Sequence, residues 1–314
     1  MAAIWVGIDD TDSPRGGCTT WVLSDLLALA RDEGVDLIGD PRLVRLNPNI
    51  PWKTRGNAAL AARFGRGRGR RRRVGEADGR PLWSFASGAP LPSGRATEFV
   101  ERAWERVLRD SRRGEPRTDP ALVALSHRLP ARVYYRAVRA IVPVDETRRY
   151  LESVGAVVHA DGDGRGLVGA SAAIAWPGRR ATWELIAYRP VAREGARRRV
   201  DFESVRTAAR RHPDLFLCHD PRTRRLLVTP HTPCPILFGL RGTRPTSPRR
   251  ALGDIRSEPV DRWVLYRTNQ GTGDHHSGET TANVSSKRGF HNWDSKLIGA
   301  KISSPPRVVP QFAQ

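Results

Sequence analysis

The 314-residue sequence predicts an α+β protein: an α/β layer at the N-terminus, then an α+β sandwich of the ferredoxin-like kind. Three observations predict it. The first is a strand–helix–strand order, in which the apolar β-formers of Ala2 to Asp9 precede a helix-spaced segment and then the strand-like Arg42 to Leu46. The second is the segment from Thr97 to Arg113, whose Phe99, Val100, Ala103, Trp104, Val107 and Leu108 share one helical face. The third is the alternation of strand-like and helix-like segments in the second half.

Each element has its own signal. The first helix runs from Thr19 to Gly34, with Trp21, Val22, Leu26, Leu29 and Ala30 near helical spacing and Thr19 or Thr20 as the natural N-cap. Asn47 to Asn57 is too rich in Asn, Pro and Gly for regular structure and forms a loop. Arg66 to Arg73 is a Gly/Arg run whose charges repel, so it is expected to be mobile. Val133 to Val144 reads as strand, Asp145 to Ser153 as helix, Ala181 to Arg189 as strand and Phe202 to Arg211 as helix, followed by strand-like FLCHD and RLLVTP. After Pro245 the pattern weakens.

Composition narrows the function classes. Lys+Arg number 53 against 33 Asp+Glu, and the net charge of +20 favours a polyanionic partner, nucleic acid ahead of a membrane surface. An apolar share of 39% with nine Trp argues against a disordered polyelectrolyte. Cys18, Cys218 and Cys234 are too far apart for a Cys-x-x-Cys pair and too few for a disulfide framework, so the expectation is a reducing, cytoplasmic setting without zinc. No apolar stretch of about 18 residues is present, so no membrane partner is expected. Residues 277–314 hold three of the four lysines but only two of the 49 arginines. That shift reads as a foreign, read-through or frame-shifted end, with an ordinary disordered tail as the alternative.

The chemistry concentrates after the first strand. Asp9, Asp10 and Asp12 emerge at its carboxyl end, and three carboxylates within four residues repel one another unless something positive sits among them. Hard oxygens there suit Mg2+ with a nucleotide phosphate; a turn-and-cap device is the plainer reading. Gly16, Gly17, Cys18 and Thr19 then lead into a helix N-terminus, where free N–H groups and the dipole attract phosphate. Lys53, the one lysine before residue 277, and Arg55 are candidates for ATP or RNA phosphates, or for a solvated loop. Asp161 to Ala173 runs into small residues that admit close approach by a ligand or by another helix. Pro230 to Gly242 reads as a rigid loop, and His275 beside His276 is a poor metal pair.

With these segments in order, the chain resembles the archaeal tRNA-Ile 2-agmatinylcytidine synthetases. The matching text is GIDDTDSPRGGCTTWV at 7–22, RLVRLNPNIPWKTRGNAA at 42–59, DGDGRGLVGASAAIAW at 161–176, TWELIAYRP at 182–190, TPHTPCPILFGLRG at 229–242 and RTNQGTGDHH at 267–276. The resemblance implies an ATP-dependent ligase that attaches agmatine to C2 of the wobble cytidine of an isoleucine tRNA. ATP gives AMP and phosphates, the C2 oxygen is phosphorylated, and the amine displaces it. It further implies that Asp9, Asp10 and Asp12 form the magnesium and phosphate loop, and that Thr19 falls on an autophosphorylated threonine. Within the matching text, Asp161, Gly166, His231 and Arg241 are candidates for substrate contact.

The family's domains, laid on this sequence, give a kinase-like ATP domain at 1–130, a ferredoxin-like domain at 131–255 and the start of an OB-fold at 256–276, near Val260 to Tyr266. No family motif is read in residues 277–314, and the cysteines of the family's zinc ribbon are absent. The expectation is therefore a catalytic half whose tRNA-docking half is missing or scrambled, with modification of tRNA in doubt. Oligomeric state is not legible. The competing reading is a non-catalytic basic RNA-binding protein or decayed paralogue, in which Arg66 to Arg73 holds polyanions.

Overall fold

The computed structural model describes residues 3–272, which form a mixed α+β structure around one large sheet. In chain order the elements are β1 (Ile4–Asp9), α1 (Thr19–Asp32), β2 (Asp36–Ile38), β3 (Arg42–Arg45), β4 (Ala58–Ala77), β5 (Arg80–Ala89), α2 (Ser93–Asp110), β6 (Ala121–Leu125), α3 (Ala131–Arg139), α4 (Val144–Ser153), β7 (Val157–Ala160) and α5 (Gly166–Ala175). Then come β8 (Thr182–Tyr188), α6 (Phe202–Arg211), β9 (Leu215–Phe216), β10 (His219–Asp220), β11 (Arg225–Leu226), β12 (Ile236–Gly242), α7 (Thr246–Leu252) and β13 (Arg262–Thr268).

The sheet runs β7-β6-β1-β4-β3-β13-β8-β12-β9, with β2 and β5 joined through β4. β1 lies between β4 and β6 and is antiparallel to both. The strand–helix–strand start therefore does not build a parallel α/β unit, because the 20-residue β4 inserts between β1 and β3. The segment expected to open an OB-fold is instead β13, a central strand paired with β3, β4 and β8. FLCHD and RLLVTP contribute only two-residue strands.

Side-chain alternation along the strands sorts the core into two faces. Val6 and Ile8 of β1 with Leu60, Ala62 and Phe64 of β4 pack under α1 and α2. Ala59, Ala61 and Val123 face α3 and α5. Leu185 and Ala187 of β8 pack with Val205 and Ala208 of α6. Nine of the ten residues of α5 are buried, as a helix apolar on every side requires.

Two segments differ from the sequence expectation. Val133 to Val144, rich in β-formers, is largely the helix α3, because its buried residues Tyr134, Ala137 and Val138 recur at helical spacing. Arg66 to Arg73 is ordered within β4 and paired with β5. Its repulsion is relieved non-locally: Arg71, Arg72 and Arg73 lie 4.6, 5.2 and 5.5 Å from the ring centroids of Trp83, Trp183 and Trp263. Asp40 pairs with Arg72, and Glu76 with Arg73.

No helix among the described residues is long and apolar enough to cross a membrane. All three cysteines are buried free thiols. The expectations for Asp274 to His276 and for residues 277–314 lie outside the described residues.

α5 and β1 approach closely. A Cβ added to Gly7 would fall 2.3 Å from the carbonyl oxygen of Ala170. Gly7→Ala should force the helix off the strand and lower stability by about 1–3 kcal/mol, seen as a lower urea midpoint. An unchanged midpoint would contradict this packing.

Candidate active site

β1 delivers the acidic loop. Asp9 is its last residue, and Asp10 turns the chain with φ 58°, a left-handed conformation that Asp tolerates better than most. The following backbone is pinned from outside: the Arg112 N–H donates to Thr11 O at 3.0 Å, the Asp119 N–H to Asp10 O at 3.0 Å, and the Thr118 hydroxyl to Asp12 O at 3.0 Å. Ser13 and Gly16 close the turn with reciprocal backbone bonds of 2.9 and 3.2 Å. α1 then begins, with Cys18 rather than a threonine at the N-cap and no side chain capping it. Its first turn also carries no acid, so the helix end is open to an anion.

The three carboxylates have different surroundings. Asp9 is pressed against α5, where a Cβ on Gly169 would sit 1.7 Å from its Oδ2. Burial, then the neighbouring Asp10, raises the Asp9 pKa well above the carboxylate range. Burial pushes Asp10 up to about 8; Arg165 opposes this, while Asp12 and Asp119 add to it. Arg165 lies 3.7 Å from Asp10 and 3.2 Å from Asp119. Asp12 is engaged instead by Arg55 and by the Thr54 hydroxyl, which donates to its Oδ2 at 2.6 Å.

Thr19 is buried between two loop residues. Its hydroxyl accepts from Thr11 at 3.1 Å and faces Asp12 Oδ1 at 3.4 Å. Arg55 also donates to Gly17 O at 2.6 Å and to Pro233 O at 3.2 Å, so it joins the acidic loop to the second half of the chain. Burial works against its charge, yet Asp12 and other acidic neighbours hold its pKa above the ordinary value. The Lys53 ammonium donates to Pro48 O within its own loop.

These groups open onto a cavity of about 790 Å³ lined by Asp9, Asp10, Asp12, Cys18, Thr19, Lys53, Arg55, His231 and Arg241. Four of the sequence candidates stand outside its lining. Gly16 and Gly17 lie behind the loop, where the Gly17 N–H and Arg112 both bind the Glu194 carboxylate. Asp161 pairs with Arg113 at 2.7 Å near the surface. Gly166 allows α5 to start against β6, since a Cβ there would be 2.7 Å from Asp119 O.

Sequence reasoning missed several residues of the site. Asp119, 2% exposed, accepts from the N–H groups of Gly164 and Arg165 at 2.8 and 3.2 Å and so holds the entry to α5. Glu184, on β8, lies 3.2 Å from both Arg45 and Arg241. Burial raises its pKa, but the two guanidiniums outweigh that and carry it below the usual range. An acid inside the apolar strand TWELIAY was the available signal. The His231 ring, 2.7 Å from Arg225, has its pKa lowered by burial and then by Arg225 and Arg198.

Comparison with known proteins gives a consistent result. The model of the TiaS TCKD domain matches residues 5–162, and that of the TiaS FLD domain matches 164–275. The two matches therefore meet at 163, where the sequence had suggested a boundary near 130. The isoleucine-tRNA 2-agmatinylcytidine synthetase TiaS of Methanopyrus kandleri is 36% identical over 98% of this chain and 65% of its own length. That of Pyrobaculum neutrophilum is 38% identical over 86% of this chain and 58% of its own length. The chain thus spans about two thirds or less of these relatives. Among solved structures, the complex of TiaS with its isoleucine tRNA and ATP superposes with a TM-score of 0.75 at 31% identity, over 88% of this chain and 60% of that one. The complex of TiaS with the same tRNA, AMPCPP and agmatine gives 0.73 at 29% identity, over 87% and 61%.

The Asp10 environment sets a pH dependence. With a folded pKa raised to about 8 from 3.8, its protonated form stabilises the fold fully at low pH, and that contribution drains away as pH rises through this window. Asp10→Asn removes the loss. Its melting temperature relative to the parent should climb between about pH 4 and 8 and then level, without divalent cations. A pH-independent difference would show that Asp10 is not buried as described.

Proposed function

The chain belongs to the TiaS family, and from that membership we propose that it carries the ATP-cleaving, cytidine-activating centre of a ligase that forms agmatidine in an isoleucine tRNA. The observation that carries the proposal is the junction of the Asp9–Asp10–Asp12 loop with the uncapped N-terminus of α1, opening onto a cavity walled by both halves of the chain. In this reading the ATP phosphates lie at the α1 N-terminus and against Arg55, with Lys53 at the loop's rim.

Among the described residues no group of three or more His, Cys, Asp or Glu is poised to hold a metal. Asp12 is turned toward Arg55 and Thr54, so the acids do not form a ready triad. The donor set nonetheless fits magnesium. Asp9 and Asp10 are hard oxygen donors whose pKa values burial has raised, so each gains from a cation. Magnesium held there with phosphate oxygens would neutralise the charge of the nucleotide.

The remaining roles follow from position. Thr19 offers its hydroxyl to phosphate, and Asp12 is the carboxylate facing that hydroxyl. Once the cytidine C2 oxygen carries phosphate it can leave: the agmatine nitrogen forms the new C–N bond, the C2–O bond breaks, and phosphate departs with its electron pair. Ile186, Leu217, Val228 and Ile236 give the cavity an apolar wall suited to a methylene chain, and His231 and Arg241 stand beside it as substrate contacts. Asp161 and Gly166 act from outside, by shaping the approach to α5.

Labelled ATP, magnesium, agmatine and a transcript of the isoleucine tRNA test this. Asp10→Asn and Thr19→Val should each reduce magnesium-dependent ATP cleavage by about a hundredfold or more. Cleavage at the parent rate in Asp10→Asn would remove the metal assignment.

A further inference from the structure

The first strand of the β4–β5 hairpin carries a dense stretch of one-signed charge. From Ala58 to Gly75 there is no acid, while Arg66, Arg68, Arg70, Arg71, Arg72 and Arg73 fall within eight positions. Three arginines of α2, by contrast, have carboxylate partners: Arg102 meets Glu33 at 2.7 Å, Arg106 meets Asp25 at 2.6 Å, and Arg109 meets Asp25 at 2.9 Å. Among the six arginines from Arg66 to Arg73, Arg72 and Arg73 are so paired. Arg66 donates to Pro90 O at 3.2 Å and Arg71 lies over Trp83, while Arg68 and Arg70 make no ion pair among the described residues.

The glycines between them explain how so much charge is held in register. A Cβ on Gly67 would strike the Phe85 ring at 2.4 Å, so the strand is covered by an aromatic at Gly67. Arg66 and Arg68, on the alternate positions, are exposed. Register shifts between Arg68 and Arg71 and between Arg73 and Gly75 twist the strand and re-aim the later arginines. Arg249 of α7 adds to the crowd: burial, then Arg249, lowers the Arg72 pKa. Trp83, 36% exposed, stands among them as a large apolar ring at the surface.

We propose that this hairpin is an RNA-docking arm, its arginines set against successive phosphates and the Arg71–Trp83 stack offered to an unpaired base. The proposal rests on the reading that the chain acts on tRNA, and it assigns to residues of the ATP-cleaving half a share of tRNA binding. The partner is RNA rather than a lipid surface because the arm exposes one tryptophan and no broader apolar face to enter a bilayer.

Titrating the full chain against a fluorescent transcript of the isoleucine tRNA between about 50 and 400 mM KCl gives the salt slope. Replacing Arg68, Arg70 and Arg71 together by Gln should lower the slope by about 2 and weaken binding about tenfold near physiological salt. Arg70→Gln alone should lower the slope by about 0.7. A triple change of the exposed Arg197, Arg210 and Arg222 to Gln removes the same charge elsewhere and should move the slope by less than half as much. Trp83→Leu should weaken binding with the slope unchanged, since stacking releases no counterions. A parent chain that fails to bind the transcript would sink the functional reading; a parent chain that binds, with both triple variants shifting the slope equally, would sink the docking arm alone.

Discussion

The close approach of α5 to β1 governs the site. Backbone meets backbone at Gly7 and Ala170, and one residue earlier on the helix Gly169 leaves just enough room for the Asp9 carboxyl. A larger residue at either glycine would separate the layers, and with them the acidic loop from Arg165. The same approach takes much of the Asp9 carboxyl out of water, which raises its pKa. Asp119 completes the arrangement from the next strand by gripping the N–H groups that open α5. The acidic loop is thus a product of helix–sheet packing, and the raised pKa values of Asp9 and Asp10 follow from the same cause.

Arginine chemistry ties the two halves together. Arg55 reaches from the acidic loop to Pro233, and Arg262 of β13 lies 4.4 Å from the Trp21 ring centroid and 3.4 Å from Asp25. Tyr266 donates to Thr20 O at 3.0 Å and meets Tyr188 at 3.0 Å, so the start of α1 is buttressed by β13 and β8. Arg45, Glu184 and Arg241 make a buried cluster in which each charge depends on the others, because removing one partner of a buried pair leaves the rest uncompensated. With one sheet running through both halves, the site is walled from two sides without a mobile hinge being required.

The sequence made legible whatever is encoded locally. β1, α1, β3 and α6 follow from apolar spacing, and the Asp9–Asp10–Asp12 loop from charge density beside glycines. The helix α3 was hidden because Val133, Tyr134 and Tyr135 favour strands in isolation, while the burial that decides the matter comes from α5 packed against it. The order of Arg66 to Arg73 was illegible for a similar reason. Local repulsion predicts mobility, but the tryptophans that absorb the charge come from β5, β8 and β13. Asp119, Arg165 and Glu184 were missed because their partners are far away in the chain.

The two-residue rhythm of Gly65 to Arg68 also constrains how this hairpin can change length over time. Losing or gaining a single residue there would turn Arg66 or Arg68 onto the Phe85 ring and Gly67 outward, driving charge against an aromatic. A change of two residues would keep both faces intact. Related chains should therefore differ in this arm by even steps, and its reach should vary more freely than its phase.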